Sequence, residues 1–307
     1  MGKRVLITGG AGFLGSRLAA HLAAAGHEVT SVDQRSPLPG AAFAQEVADI
    51  TDGLRLRSLL EAGDIECVVH AAAMADLDLA RTNPVATVTA NLVGTAQVLE
   101  AARQAGVERV VYVSSEAVYG VVPGSAAIDE ARCFDPISVY GATKAGGELL
   151  LGAYRQACGL DLVSVRLAEV YGPGLTMSEY VTELVAAAVG GAPFLAGGPV
   201  DQPVGLVFVE DAVEALRLVV EAESLAQQAY HVSDGELHTF GSVAATVRRL
   251  LPGADIAFGG DPHHPRLAQP PWDLTALRRD LDFGPRWVLD DALPVLIAAA
   301  RAEDGAS

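Results

Sequence analysis

Apolar residues follow two rhythms along this chain. Short runs rich in β-branched residues alternate with longer stretches in which apolar positions recur every three or four residues. Residues 4–8 form a run of the first kind, a glycine cluster follows, and Leu18 and Leu22 keep helical spacing until Gly26. Further strands are predicted at residues 28–32, 67–70, 110–114 and 162–165, and helices at residues 85–105 and 140–156. Such alternation predicts an α/β fold of the Rossmann type: a doubly wound parallel sheet, helices on both faces, right-handed crossovers. The unbroken Val110-Val111-Tyr112-Val113 suits a strand buried on both sides.

After Tyr171-Gly172-Pro173-Gly174 the alternation breaks down, and Gly and Pro crowd residues 190–203 and 252–271. Residues 1–170 are therefore expected to form a dinucleotide-binding domain. Residues 204–233, with a strand-to-helix piece at 206–219 and a strand at 229–232, are expected to return to it. Residues 171–203 and 234–307 then make a smaller C-terminal substrate-binding lobe.

Composition narrows the function. Of 307 residues half are apolar and 19% charged, which supplies a core and argues against disorder. The net charge of −17 argues against binding nucleic acid or an anionic membrane surface, so an anionic ligand must be held by local groups. No run of eighteen apolar residues predicts a membrane span. The start Met1-Gly2-Lys3-Arg4 leads into a stretch broken by Gly9, Gly10, Gly12 and Gly15, unlike an export signal. Cys67, Cys133 and Cys158 are widely spaced and contain no CxxC, as expected in a reducing cytoplasm.

Local chemistry concentrates in three places. Thr8-Gly9-Gly10-Ala11-Gly12-Phe13-Leu14-Gly15 joins the first strand to the first helix. There Gly9 would allow the turn, Gly12 the approach of a pyrophosphate to the helix N-terminus, and Gly15 close packing of helix on strand. Asp33, ending the second strand, can accept from both adenosine ribose hydroxyls and would repel a 2′-phosphate, which favours NAD over NADP; Arg35 partly offsets that repulsion. The second place is Tyr140-Gly141-Ala142-Thr143-Lys144, which puts a phenol and an ammonium on one helix face. Of the 21 basic residues only Lys3 and Lys144 are lysines, so Lys144 is expected to serve where arginine would not, drawing the Tyr140 pKa down for general-base duty. Third, Ser114-Ser115 close a buried strand at its carboxyl end, and Ser115 could donate to the reacting substrate oxygen.

Together these motifs resemble the extended short-chain dehydrogenase/reductase family, in its NAD-dependent epimerase/dehydratase group. The resemblance is carried by residues 8–15, Asp33, Asp49-Ile50, His70-Ala71-Ala72, Asn91, Ser114-Ser115, Tyr119-Gly120, Tyr140 with Lys144, Arg166, residues 171–174 and 207–213, and it extends to Asp282-Phe283-Gly284-Pro285. It implies that Tyr140 is the catalytic base, Ser115 its partner, and Lys144 also a ligand of the nicotinamide ribose. It implies that Asp49 and Ile50 flank the adenine and Ala71 lies by the cofactor phosphates, with further cofactor contacts from Phe13, Leu14, Ala72, Ser114 and Leu167. Substrate contacts are expected from Met74, Glu116, Glu169 and Arg266, and a homodimer is expected through the helices at 85–105 and 140–156.

Departures from the family pattern sharpen the chemistry. Dehydratases of the group resemble one another in an Asp-Glu pair after the catalytic hydroxyl, where this chain has Ser115-Glu116-Ala117. Loss of the second carboxylate argues against dehydration and decarboxylation. Glu169 stands where nucleotide-sugar members carry Asn, and Val204 where they carry Arg, both of which disfavour a pyrophosphate there. His263-His264 lack an acidic or cysteine partner at ligand spacing, so no metal is expected. The chemistry left is hydride transfer at a substrate hydroxyl. The substrate is expected to be a carbohydrate and the enzyme an NAD-dependent epimerase of a sugar or nucleotide sugar, or else a net dehydrogenase or ketoreductase of a sugar, sugar acid or small polyol.

Overall fold

A computed structural model describes residues 2–177, 179–259 and 270–305. In chain order the first half holds β1 (Arg4–Thr8), α1 (Phe13–Ala24), β2 (Glu28–Asp33), β3 (Ala44–Val47), α2 (Gly53–Ala62), β4 (Cys67–His70), α3 (Leu77–Thr82), α4 (Pro84–Val88), α5 (Gly94–Ala105) and β5 (Arg109–Ser115). Then come α6 (Val139–Cys158), β6 (Asp161–Leu167), β7 (Glu169–Tyr171), α7 (Tyr180–Val189), β8 (Phe194–Ala196), β9 (Pro203–Val204), β10 (Leu206–Phe208) and α8 (Val209–Glu221). The chain continues through β11 (Ala229–Val232), β12 (His238–Thr239), α9 (Phe240–Leu250), β13 (Ile256–Phe258), α10 (Thr275–Leu281) and α11 (Leu289–Asp304).

Seven strands make one parallel sheet in the order β11-β6-β5-β4-β1-β2-β3. Alternate residues of its central strands serve opposite cores. Val5, Ile7, Val111 and Val113 pack with Leu18, Leu22 and Leu216 of α1 and α8. Leu6, Val110 and Tyr112 pack with Leu56, Leu99 and Leu151 of α2, α5 and α6 on the other face. A sheet clad on both faces needs continuous apolar strands, which is why β4 and β5 were legible as strands. Strand order reverses beside β1, and the crevice beyond its carboxyl end is where an open α/β sheet takes ligands.

A third core lies under α7, α9 and α11, built on Tyr180, Leu184, Phe240, Val243, Leu293 and Leu296. Its strands pair two by two: β10 with β7, β12 with β9, β13 with β8. Thus β11 joins the main sheet beside β6, whereas β10, expected to return there with it, pairs with β7 instead. Glu169 N–H donates to Gly205 O at 3.1 Å, which lays β10 along the extension that follows β6. The helix expected over residues 85–105 is divided by one wide π-type turn at Thr89–Val93. That turn presents Asn91 inward, where its amide accepts from Met74 N (2.7 Å) and donates to Met74 O and Thr143 Oγ1 (both 3.1 Å). Among the described residues no helix is long and apolar enough to cross a membrane.

Candidate active site

The glycine turn is fastened to the sheet before it meets any ligand. Gly9 N and Gly10 N donate to Val32 O at 2.8 and 3.2 Å, and Gly12 N to Gly9 O at 2.9 Å. Gly9 sits at φ +74°, a left-handed conformation natural to glycine, with its α-carbon so near Ala72 that a Cβ would stand 2.7 Å from Ala72 N. Gly12 caps α1 without any side-chain hydrogen bond, and no acidic residue occupies the helix's first turn. The positive end of α1 therefore faces the crevice uncompensated. Asp33 is joined to the turn, accepting from Ala11 N at 3.1 Å, and is ion-paired with Arg35 through Nε and Nη2, both at 3.1 Å. Those donors hold its carboxyl below the usual range against the opposing effect of burial.

A cleft of about 360 Å³ opens from this turn across the ends of β4, β5 and β6. It brings together Gly9, Gly12, Phe13, Leu14, Gly15 and Ala71 with Ser114, Ser115, Glu116, Tyr140, Lys144, Leu167 and Glu169. Asp33, Asp49, Ile50, Ala72 and Met74 are not among its lining residues. Asp49 is turned onto Thr51, accepting from its N and Oγ1 at 2.8 Å, and Ile50 packs against Gly94. Arg266 and the pair His263-His264 lie outside the described residues.

Ser138 caps α6, its hydroxyl accepting from Gly141 N at 3.0 Å, and so fixes the first turn that carries Tyr140. The Tyr140 phenol and the Ser115 hydroxyl line the same cleft, close enough for the serine to draw the phenol's pKa down. Lys144 is buried, and its ammonium donates to Val113 O at 2.8 Å and lies 5.8 Å from the Tyr140 ring centre. Here the expected effect on the phenol is reversed. Desolvation in the cleft pushes Tyr140 up to about 12, opposed by the Ser115 hydroxyl and reinforced by Glu116. Lys144 itself is brought down to about 8 by burial. With the ammonium turned onto a carbonyl, burial sets the phenol's pKa, and Tyr140 stands as a protonated hydroxyl ready to donate.

The far wall is acidic. Glu116 and Glu169 share the cleft with Glu179, which the sequence did not single out. Glu179 is buried at the start of α7, its carboxyl accepting from Val181 N (2.7 Å), Thr182 N and Thr182 Oγ1 (both 2.8 Å). Burial raises the pKa of Glu116 and of Glu179 well above the carboxylate range, and Glu169 raises both further. An acidic residue directly before an apolar helix was the available signal for Glu179, but such capping is common and says nothing of a cleft. Arg166, the cation nearest to Glu169 in sequence, is taken by Glu148 at 2.7 Å.

These features define an α/β enzyme that holds a dinucleotide at a glycine turn and works on a hydroxyl beside it. Residues 5–233 match the family described as "NAD dependent epimerase/dehydratase family", and the chain belongs to it. It is thus an NAD-dependent enzyme of the extended short-chain dehydrogenase/reductase type. Among its relatives, UDP-glucose 4-epimerase of Mycolicibacterium smegmatis is 35% identical over 228 residues, 69% of this chain and 71% of the relative. The dTDP-glucose 4,6-dehydratase of Mycobacterium tuberculosis is 29% identical over 264 residues, 81% of this chain and 77% of the relative. Of solved structures, MoeE5 in complex with UDP-glucose and NAD superposes with a TM-score of 0.89 at 29% identity, covering 98% of this chain and 99% of that one. The Thermus thermophilus UDP-glucose 4-epimerase in complex with NAD gives 0.88 at 29% identity, over 97% and 99%. The residues present fit NAD: the turn packs α1 so closely on the sheet that a Cβ at Gly9 or Gly15 would strike the backbone of Ala72 or Gly9, and α1 brings an N-terminus without a side-chain cap to the cleft.

Proposed function

We propose that this enzyme epimerises a carbohydrate at a secondary hydroxyl. The supporting observation is that Ser115, Tyr140 and Lys144 line the same cleft as the glycine turn, with Ala117 where dehydration would require a second carboxylate. Gly9, Gly12 and Gly15 would seat the pyrophosphate of NAD, Asp33 its adenosine ribose, and Lys144 its nicotinamide ribose. Bound there, NAD supplies reversible acceptance of hydride from a substrate carbon. Tyr140 Oη holds the proton that leaves or rejoins the substrate oxygen, and Ser115 Oγ fixes that oxygen's position. Lys144, one turn further along the same helix, would lower the cost of the phenol's anionic form by swinging its ammonium from Val113 O toward the ring's oxygen. Denaturing the purified protein is expected to release NAD in stoichiometric amount, as an enzyme that returns its hydride each cycle retains its cofactor. An empty site, with NADH accumulating on turnover, would instead make it a net dehydrogenase.

The wall of Glu116, Glu169 and Glu179, with Val204 beside it, suits hydroxyls or a sugar amine and opposes a pyrophosphate at Glu169. In calorimetry with NAD present, Glu169→Asn is expected to tighten binding of UDP-glucose by at least about tenfold, or roughly 1.4 kcal/mol. Micromolar binding of UDP-glucose by the parent, unimproved by the substitution, would show the wall to be neutral toward phosphate.

The dimer and the compartment complete the proposal. Helices α4, α5 and α6 adjoin one another, and Val85 is 78% and Leu149 67% exposed, with Val88 and Val93 also exposed. An apolar face of this kind suits a two-fold contact between copies. Light scattering at micromolar concentration is expected to give twice the chain mass of 31.7 kDa. Cys67, Cys133 and Cys158 are unbridged, which suits the cytoplasm.

A further inference from the structure

Helix α6 carries a third polar group in register with its phenol and its ammonium. Tyr140, Lys144 and Glu148 recur every four residues and share one face. The Glu148 side chain is buried, and both of its oxygens are engaged by partners other than the lysine. Its Oε1 accepts from Ser114 Oγ at 2.6 Å and Arg166 Nε at 2.9 Å, and its Oε2 from Arg166 Nη2 at 2.7 Å. Arg166 is fixed in turn: Nη1 donates to Glu130 O at 2.8 Å and to the Tyr119 hydroxyl. With its lone pair so used, the Tyr119 hydroxyl gives its own proton to His231 Nε2, 2.6 Å away. The buried chain Glu148–Arg166–Tyr119–His231 thus runs from the helix bearing Lys144 under β5 and β6 to β11.

We propose that Glu148 is a positioning residue for the reaction, the counter-charge that keeps Lys144 protonated, and that Arg166 limits how much of that charge the lysine feels. Among the described residues Glu148 is the carboxylate that acts on Lys144; Glu116, in the same cleft, is held toward its neutral form by burial and by Glu169. The lysine's own helix offers Tyr140 and Glu148. β5 offers Val113 O and the Tyr112 ring, 5.0 Å from the ammonium. β4 offers His70, held between Thr8 Oγ1 (2.7 Å) and Thr95 Oγ1 (2.9 Å) and kept neutral by burial, its pKa down at about 3. Beyond Glu148, β6 holds Arg166, a cation paired to the same carboxylate. Burial has already lowered the lysine, and Glu148 is the opposing influence. Because Glu148 is shared between a guanidinium that binds it in two places and an ammonium that does not touch it, the two partners compete for one charge.

The competition gives substitutions of opposite sign. Glu148→Gln strips the counter-charge and leaves a buried guanidinium nearby, so the pKa of Lys144 falls by at least about one unit. Arg166→Gln frees the carboxylate for the lysine, so it rises by a similar amount. Glu148→Asp restores most of the parent value. The chain has only two lysines, Lys3 and Lys144, so carbon-13 labelling at lysine Cε gives two resonances in an NMR titration of the whole protein, with Lys3 as the internal standard. Should Glu148→Gln fail to fold around its unpaired Arg166, the Glu148→Gln/Arg166→Gln double variant carries the test. There the lysine still falls, since the carboxylate that acts on it is gone, but by less than in the single variant, since the unpaired guanidinium is removed as well. A Lys144 titration unmoved by Glu148→Gln, shifted the same way by both single substitutions, or raised in the double variant would overturn the proposal. It rests on the role given to Lys144 above, yet the titration reads the lysine itself. If the shifts occur and epimerase turnover keeps its pH profile, the counter-charge stands and the catalytic role of Lys144 is what fails.

Discussion

Tyr140→Phe is expected to lower turnover by about 10²–10⁴-fold while NAD binding persists. The substitution removes one oxygen and keeps the ring, so the packing around Lys144, 5.8 Å from the ring centre, is conserved. The glycine turn and Asp33 are separate from it and unchanged. What disappears is the oxygen proposed to take and return the substrate proton. Since the phenol stands near 12 before anything is bound, it donates readily and accepts only when a nearby positive charge lowers its pKa; Lys144 is the residue proposed to supply that charge. Lys144→Arg should therefore be impaired on the same scale, because a planar guanidinium cannot occupy a buried site that makes one 2.8 Å bond to Val113 O. Turnover of UDP-glucose or of whichever free sugar proves active, followed for both variants with NAD binding measured in parallel, checks this. A Tyr140→Phe enzyme near full activity would move the base elsewhere, with Glu116 the next group in the cleft.

What the sequence disclosed and what it hid divide along physical lines. The sheet strands were legible because β4 and β5 are buried on both faces and must be apolar throughout, whereas β3, paired on one side only and partly exposed, carries no such run. Strands β9 and β12, two residues each, are too short to show any period. Lys144 stood out by scarcity, being one of two lysines in an arginine-rich chain. Glu148 and Glu179 did not, since they are two among 38 acidic residues and their meaning arises only where α6 meets β6 and α7 closes the cleft. The direction of the Tyr140 shift was also hidden. Spacing puts an ammonium on the same helix face as the phenol, but it cannot show that the ammonium turns to Val113 O or that desolvation sets the phenol's pKa.

Gly15→Ala is expected to cost about 1–3 kcal/mol of stability and to weaken NAD binding by at least about tenfold. A Cβ built on Gly15 would stand 2.2 Å from Gly9 O and 2.9 Å from Gly9 C, inside the contact distance of backbone atoms that have no rotamer with which to retreat. Relief requires α1 to move away from the turn. The turn in turn cannot follow, because Gly9 N and Gly10 N are tied to Val32 O and Gly9 already touches Ala72. The N–H groups at the start of α1 are thereby displaced from the place where a pyrophosphate would meet them, and the loss reaches the ligand as well as the fold. Gly152 supplies the control: it lies inside α6, a Cβ there meets nothing within 4 Å, and Gly152→Ala should stabilise the helix by roughly 0.5–1 kcal/mol with NAD binding unchanged. Chemical denaturation and calorimetry on the two variants separate the effects. If Gly15→Ala binds NAD as the parent does, the close approach of α1 to the turn is not what holds the cofactor.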